Sequence, residues 1–144
     1  MSGLMKENVA IVGAGCTRFG EHFTKSWADL VVDATFEACA DAGVELKDVE
    51  AAWLGSYRPW IAGERNIGSP LAEALGFLYK PVTLISNICA TGIDALRNAC
   101  LAVSSGMYDV ALAVGVEKMR AAGSGSLMLA NRTDGHPLIG KGRT

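Results

Sequence analysis

The stretch Ser86-Asn87-Ile88-Cys89-Ala90-Thr91-Gly92-Ile93-Asp94-Ala95-Leu96-Arg97 carries the residue in this chain best suited to covalent chemistry. An apolar run ends at Ile85 and a helical pattern opens at Ala90, so Cys89 falls at a strand-to-helix turn, within the first turn of that helix. The first N–H groups of a helix lack partners inside it, and the helix dipole adds partial positive charge there. Both favour a thiolate over a thiol, which makes a cysteine nucleophilic near neutral pH. The same amides, in a turn built from Asn87, Ala90 and Gly92, can hold the oxyanion that forms when a thioester carbonyl is attacked. Gly92 leaves one side open for a substrate. A cysteine in an apolar sequence is more often a small core residue. That second reading stays open for Cys89 on position alone, and Cys16, Cys39 and Cys100 are read as core or loop residues.

Other chemistries find less support. The four cysteines form no C-x-x-C pair, and His22 and His136 stand alone, so no metal site is expected. The wide cysteine spacing also speaks against a disulfide framework and fits a reducing compartment. Val12-Gly13-Ala14-Gly15 invites a dinucleotide-binding reading, but Arg18 stands where the fingerprint needs its third small residue, and a loop follows instead of a helix. Arg58, Arg65, Arg120, Arg132, Lys141 and Arg143 are candidates for contact with phosphates, each weighed against the simpler reading of a solvated surface cation. Glu117 and Lys118 read as a strand-end structure rather than a catalytic pair.

The elements that must position Cys89 follow from periodicity. Asn8 to Gly13 reads as a buried strand, and Ser26-Trp27-Ala28-Asp29 as a capped helix start. Trp27, Leu30, Val31, Ala34 and Ala38 continue at helical spacing until Gly43. Ala51 to Gly55 is a second strand, Pro70 to Leu75 a short helix and Pro81 to Ile85 a third strand. A helix over Ala90 to Ser105, apolar almost all round and so expected to be deeply buried, leads to a fourth strand over Tyr108 to Val116. This alternation argues a mostly parallel α/β sheet with crossover helices, and near-continuous apolar strands argue a sheet covered on both faces. Nothing closes the architecture after Glu117, where the sequence turns Gly-, Ser- and Arg-rich, so the chain reads as cut short.

Bulk properties narrow the setting. The chain has 144 residues, half of them hydrophobic, with a formal charge of −2 and no basic run. It is long enough for one core, and neither nucleic acid nor an anionic membrane is an expected partner. No apolar run reaches the ~20 residues of a membrane span, and no signal peptide is evident. The expected setting is the cytoplasm.

Asn87 to Met119 (N-I-C-A-T-G-I-D-A-L-R-N-A-C-L-A-V-S-S-G-M-Y-D-V-A-L-A-V-G-V-E-K-M) closely resembles the nucleophile region of thiolases. The wording is most similar to the branch with sterol-carrier-protein thiolases, lipid-transfer-type thiolase-like proteins and benzylsuccinyl-CoA thiolase. The opening V-A-I-V-G-A-G-C-T-R-F-G resembles the same branch. The resemblance implies a thiolase-like fold, with this chain as the N-terminal βαβαβα half of a five-layer α/β/α/β/α sandwich, residues 1–118 forming the core half and 119–144 the start of a loop domain that covers substrate. It implies an acyltransferase of lipid metabolism that cleaves or forms 3-oxoacyl-CoA through an acyl-enzyme on Cys89, with coenzyme A thioesters as substrates and no permanently bound cofactor. Met119, Arg120 and Arg132 become candidate cover residues. A homodimer through the thiolase core, with the strand before Cys89 at the interface, is implied as well. So is, in the partnered subgroup, a DUF35/OB-fold chain and retro-aldol chemistry on side-chain acyl-CoAs. A non-catalytic lipid-binding or assembly subunit is the third possibility. The family's general-base histidine and second cysteine belong to a C-terminal half not matched here. Gly135-His136-Pro137 looks like the histidine motif but comes too early, so this chain by itself is expected to be inactive.

Overall fold

A computed structural model of the chain describes residues 9–57 and 68–119. The first helix, α1, spans Trp27–Ala42. It starts where Ser26 and Asp29 satisfy each other's backbone: the Asp29 N–H donates to the Ser26 hydroxyl at 3.1 Å, and the Ser26 N–H donates to the Asp29 carboxylate at 2.7 Å. The Ser26 backbone and hydroxyl hydrogen bonds hold the Asp29 carboxyl below its ordinary value of 3.8. The cap therefore contributes fully above that value and fades as pH falls through the lowered one. Gly43, in the left-handed region at φ 67°, ends the helix. Trp27, Leu30, Val31, Thr35 and Cys39 form its buried stripe.

Three parallel strands follow, β1 (Ala51–Gly55), β2 (Val82–Ile85) and β3 (Ala111–Gly115), in the order β2-β1-β3. Helix α2 (Gly68–Ala74) connects β1 to β2, and α3 (Thr91–Ser104) connects β2 to β3. In register, Leu54 lies between Leu84 and Val114, and Gly55 between Ile85 and Gly115. Alternation sorts the two faces. Ala52, Leu54, Leu112 and Val114 join Trp27 and Val31 of α1 and Leu71 of α2 in one core cluster. The opposite face receives α3, whose Thr91 and Ala95 lie over Gly55. The α/β class with helices on a parallel sheet is thus as the sequence reads, in three layers among the described residues. Within them α3 is buried along one stripe, Thr91, Ala95 and Ala99, and Ile93 on its outer side is 64% exposed.

The first strand expected from the sequence does not form. Val9 to Gly13 belongs to no ladder. The segment that follows spends its donors on α1: the Ala14 N–H donates to the Asp41 carboxylate at 2.9 Å and the Cys16 N–H to that of Glu37 at 3.1 Å. Gly13 and Gly15 permit this approach. A Cβ on Gly15 would stand 2.2 Å from the Ala34 carbonyl oxygen and 2.6 Å from the Ala38 nitrogen. Apolar character alone marked a strand here, and contact with a helix backbone overrode it. In the complete protein, Gly15→Ala is expected to lower stability by about 1–3 kcal/mol, read as a shifted urea midpoint at unchanged slope. A cavity of about 720 Å³ separates this segment from α3 and β3.

Candidate functional site

The three strands end level with one another, at Gly55, Ile85 and Gly115. Sites in open α/β sheets form outside such carboxyl ends. From β2 the chain passes through Ser86 and Asn87 into a single 3₁₀ turn, Ile88–Ala90, that carries Cys89 and precedes α3. Cys89 is exposed. The sequence reading put Cys89 inside the first turn of the long helix. The structure starts that helix at Thr91 and puts Cys89 in the 3₁₀ turn before it, where Ile88 sits in the left-handed region at φ 47°. A β-branched residue there is an outlier that costs ~1–3 kcal/mol and needs its surroundings to hold it.

The holding groups are few and specific. The Thr91 hydroxyl accepts the Asn87 N–H at 2.8 Å and donates to the Ile88 carbonyl at 2.7 Å, bridging both sides of the strained residue. The Asn87 side-chain amide donates to the Asp94 carboxylate at 2.5 Å, and the Asn98 amide donates to the Asp94 carbonyl at 2.7 Å. The Ala90 N–H donates to the Asn87 carbonyl at 2.8 Å, so that amide is already engaged. Thr91 is 6% exposed, and a Cβ on Gly55 would come within 3.2 Å of its methyl and 3.3 Å of its carbonyl oxygen. Gly55 therefore lets the head of α3 settle directly on β1. Beside Cys89, a Cβ on Gly92 would meet nothing within 4 Å among the described residues, so on their side this flank is open.

Asn87, Cys89, Ala90 and Gly92 are thus brought into one turn. Thr91 and Asp94 belong to its support and were not singled out from the sequence for that role. The available signal was the tendency of Asn, Thr and Ser to bond nearby backbone at helix starts. Met119 lies at the margin of the described residues, 41% exposed. Arg58, Arg65, Arg120, Arg132, Lys141, Arg143 and the Gly135-His136-Pro137 tripeptide fall outside the described residues.

The other cysteines differ in setting. Cys39 is 7% exposed, and burial, with a smaller contribution from Asp48, pushes its thiol up. Cys100 is half-buried, and Cys16 is exposed with its sulfur 3.4 Å from the Thr17 carbonyl oxygen. His22 points its Nε2 at the Arg18 carbonyl, 2.6 Å away. Among the described residues, no three His, Cys, Asp or Glu side chains cluster as metal ligands, and no helix is long and apolar enough to cross a membrane.

Residues 9–133 match the family described as thiolase, N-terminal domain. The acetyl-CoA acetyltransferase of Methanocaldococcus jannaschii is 41% identical over 113 residues, 78% of this chain and 29% of that protein. Sterol carrier protein 2 of Gallus gallus is 33% identical over 136 residues, 92% of this chain and 24% of that protein. The chain thus spans less than a third of either relative. Among solved structures, the Ltp2-ChsH2(DUF35) aldolase superposes with a TM-score of 0.67 at 21% identity, covering 88% of this chain and 33% of the other. The 3-oxoacyl-[acyl-carrier-protein] synthase III of Aquifex aeolicus superposes with a TM-score of 0.59 at 22% identity, covering 67% and 31%. At these identities the two structures speak for the fold alone.

Proposed function

Because the chain belongs to the thiolase family, matching its N-terminal domain over residues 9–133, we propose that it supplies the nucleophile of an acyl-CoA C-acyltransferase, with Cys89 as that nucleophile. The observation that carries this reading is the exposed Cys89 in a strained, braced turn at the carboxyl ends of the sheet, open on its Gly92 flank.

In the synthetic direction the Cys89 sulfur attacks the thioester carbonyl of an acyl-CoA. A backbone amide of this segment other than those of Asn87, Ala90 and Thr91, which are bonded within it, stabilises the oxyanion; it collapses, the acyl group stays on sulfur, and coenzyme A leaves as its thiol with the proton. A second acyl-CoA, deprotonated at its α carbon, then attacks the acyl-enzyme. A carbon–carbon bond forms, the carbon–sulfur bond breaks, and 3-oxoacyl-CoA is released. In cleavage the sulfur adds to the 3-oxo carbon, the bond to the α carbon breaks, that carbon takes a proton and leaves as the shorter acyl-CoA, and free coenzyme A then removes the acyl group from sulfur. Both directions need a base for the thiol; the α carbon gives its proton to a base in condensation and takes one from an acid in cleavage. No histidine or carboxylate among the described residues is hydrogen-bonded to the Cys89 thiol. We place that base, and the second acid/base cysteine, outside the described residues.

Met119, Arg120 and Arg132 are assigned to the cover over coenzyme A. A homodimer is assigned to the β2 side, where β2 is the edge strand among the described residues and Leu84, Ile88 and Ile93 are 38%, 48% and 64% exposed. The cytoplasm is the proposed location. A second reading, retro-aldol cleavage of a side-chain acyl-CoA with a DUF35/OB-fold partner, is supported by the A-T-G-I-D-A-L-R-N-A-C wording of residues 90–100 and by the fold shared with the Ltp2-ChsH2(DUF35) aldolase. That chemistry needs no covalent intermediate. Intact-mass measurement of the complete protein after incubation with acetyl-CoA separates the two: an acyl increment mapped to Cys89 supports the acyltransferase, and an unmodified Cys89 in a protein that still turns over rejects it.

A further inference from the structure

The main-chain ladder stops short of Cys89. Its last rungs at this end are the Ser56 N–H to the Ile85 carbonyl, 3.1 Å, and the Val116 N–H to the Gly55 carbonyl, 3.0 Å. Beyond them the strand exits are aligned by side chains. One oxygen of Glu117, Oε1, accepts the Ser56 hydroxyl at 3.1 Å and also the Tyr57 N–H. Ser56 is 3% exposed, so the exit of β1 is pinned at successive residues, one of them buried. Tyr57, held in this way, offers its carbonyl to the Ser86 hydroxyl at 2.9 Å. Ser86 opens the exit of β2, three positions before Cys89. The relay also has a fixed base. The ammonium of the next residue, Lys118, donates to the His22 carbonyl at 2.9 Å and to that of Lys25, tying the exit of β3 to the loop that enters α1.

We infer that Glu117 is a positioning residue for Cys89, acting through Tyr57 and Ser86 on the turn that aims the sulfur. Acceptance by a carboxylate is charge-assisted and roughly twice as strong as a neutral hydrogen bond. It reaches the strand ends where main-chain pairing has run out. The relay crosses from β3 to β1 to β2, so loss of Glu117 loosens the turn without touching the sulfur or its immediate braces. This inference rests on the reading of Cys89 as the acylated residue.

The test is the rate at which Cys89 is acylated by acetyl-CoA in the complete protein, followed by mass, alongside KM and the thermal midpoint. Glu117→Ala is expected to slow acylation by about 10- to 100-fold, as expected for a reacting atom displaced by a fraction of an ångström to an ångström, with KM little changed. Glu117→Gln, whose amide oxygen can still accept both donors, is expected to recover most of the rate. Ser86→Ala cuts the same relay nearer the sulfur and should slow acylation comparably. The double variant should be no slower than the worse single one, because both act on one chain of contacts. Native-rate acylation in Glu117→Ala, or slowing in the double variant equal to the product of the singles, overturns the inference. Where Glu117→Ala fails to fold, native-rate acylation in Ser86→Ala overturns it equally. Absence of any Cys89 adduct in the unsubstituted protein is a separate result, which removes the nucleophile reading and this inference with it.

Discussion

Cys89→Ser in the complete protein is expected to lower kcat for acyl-CoA condensation by about 10³-fold or more while leaving the thermal midpoint within a few degrees. The sulfur is exposed, so the exchange creates no cavity and buries no new polar group. What is lost is the nucleophile, since no histidine or carboxylate among the described residues is hydrogen-bonded to this position to activate a serine hydroxyl. Mass spectrometry after acetyl-CoA treatment should show an acyl increment on the unsubstituted protein and none on the variant. Cys39 provides the internal control. It is buried, and its thiol is pushed up by that burial, so it should stay unlabelled by iodoacetamide at neutral pH while Cys89 reacts. Equal labelling of the two, or full activity in Cys89→Ser, would sink the assignment.

Thr91→Val should be the most damaging substitution that leaves Cys89 itself untouched. Valine keeps the shape and the methyl that lies against Gly55. It removes the hydroxyl that joins the Asn87 N–H to the Ile88 carbonyl. An orphaned partly buried N–H costs about 1–3 kcal/mol, and the left-handed φ of Ile88 loses its direct tie. The turn is then free to relax, and Cys89 moves with it. A drop in kcat of about 10²-fold is expected, because a shift of 1 Å at a reacting atom suffices for that. Thr91→Ser keeps the bridge and loses only the methyl, so it should retain most of the activity. If the serine and valine variants lose activity equally, the hydroxyl bridge is not what holds the turn.

Residues 86–97 were legible as a site because two local signals coincide: a strand-to-helix transition and a nucleophile type at its hinge. α1 was legible to the residue, since Ser26, Asp29 and Gly43 are contiguous capping chemistry that does not depend on the rest of the chain. The sheet was legible where burial on both faces makes long apolar runs, as in Ala51 to Gly55. Val9 to Gly13 has the same appearance, but pairing depends on a neighbour that sequence periodicity cannot supply, and Gly13 and Gly15 fit helix contact as well as a turn. The support of the turn was opaque for a related reason. Ser56, Tyr57, Ser86 and Glu117 are separated by up to 61 positions and meet only once strand register is fixed. Ile88 gave no warning at all, since a β-branched residue predicts the opposite backbone region.

β3 faces β1 on one side and the cavity on the other. Main-chain groups alternate along a strand, and the ladder contacts of Val110 and Val116 fix the phase: Leu112 and Val114 turn their amides to β1, while Ala111, Ala113 and Gly115 turn theirs outward. Deuterium uptake should therefore be uneven along this one strand, slow and fast at alternate positions, until another backbone takes up the outward set. Neighbouring amides would then report two different events, opening of the sheet as a whole and occupation of the margin that the described residues leave unpaired.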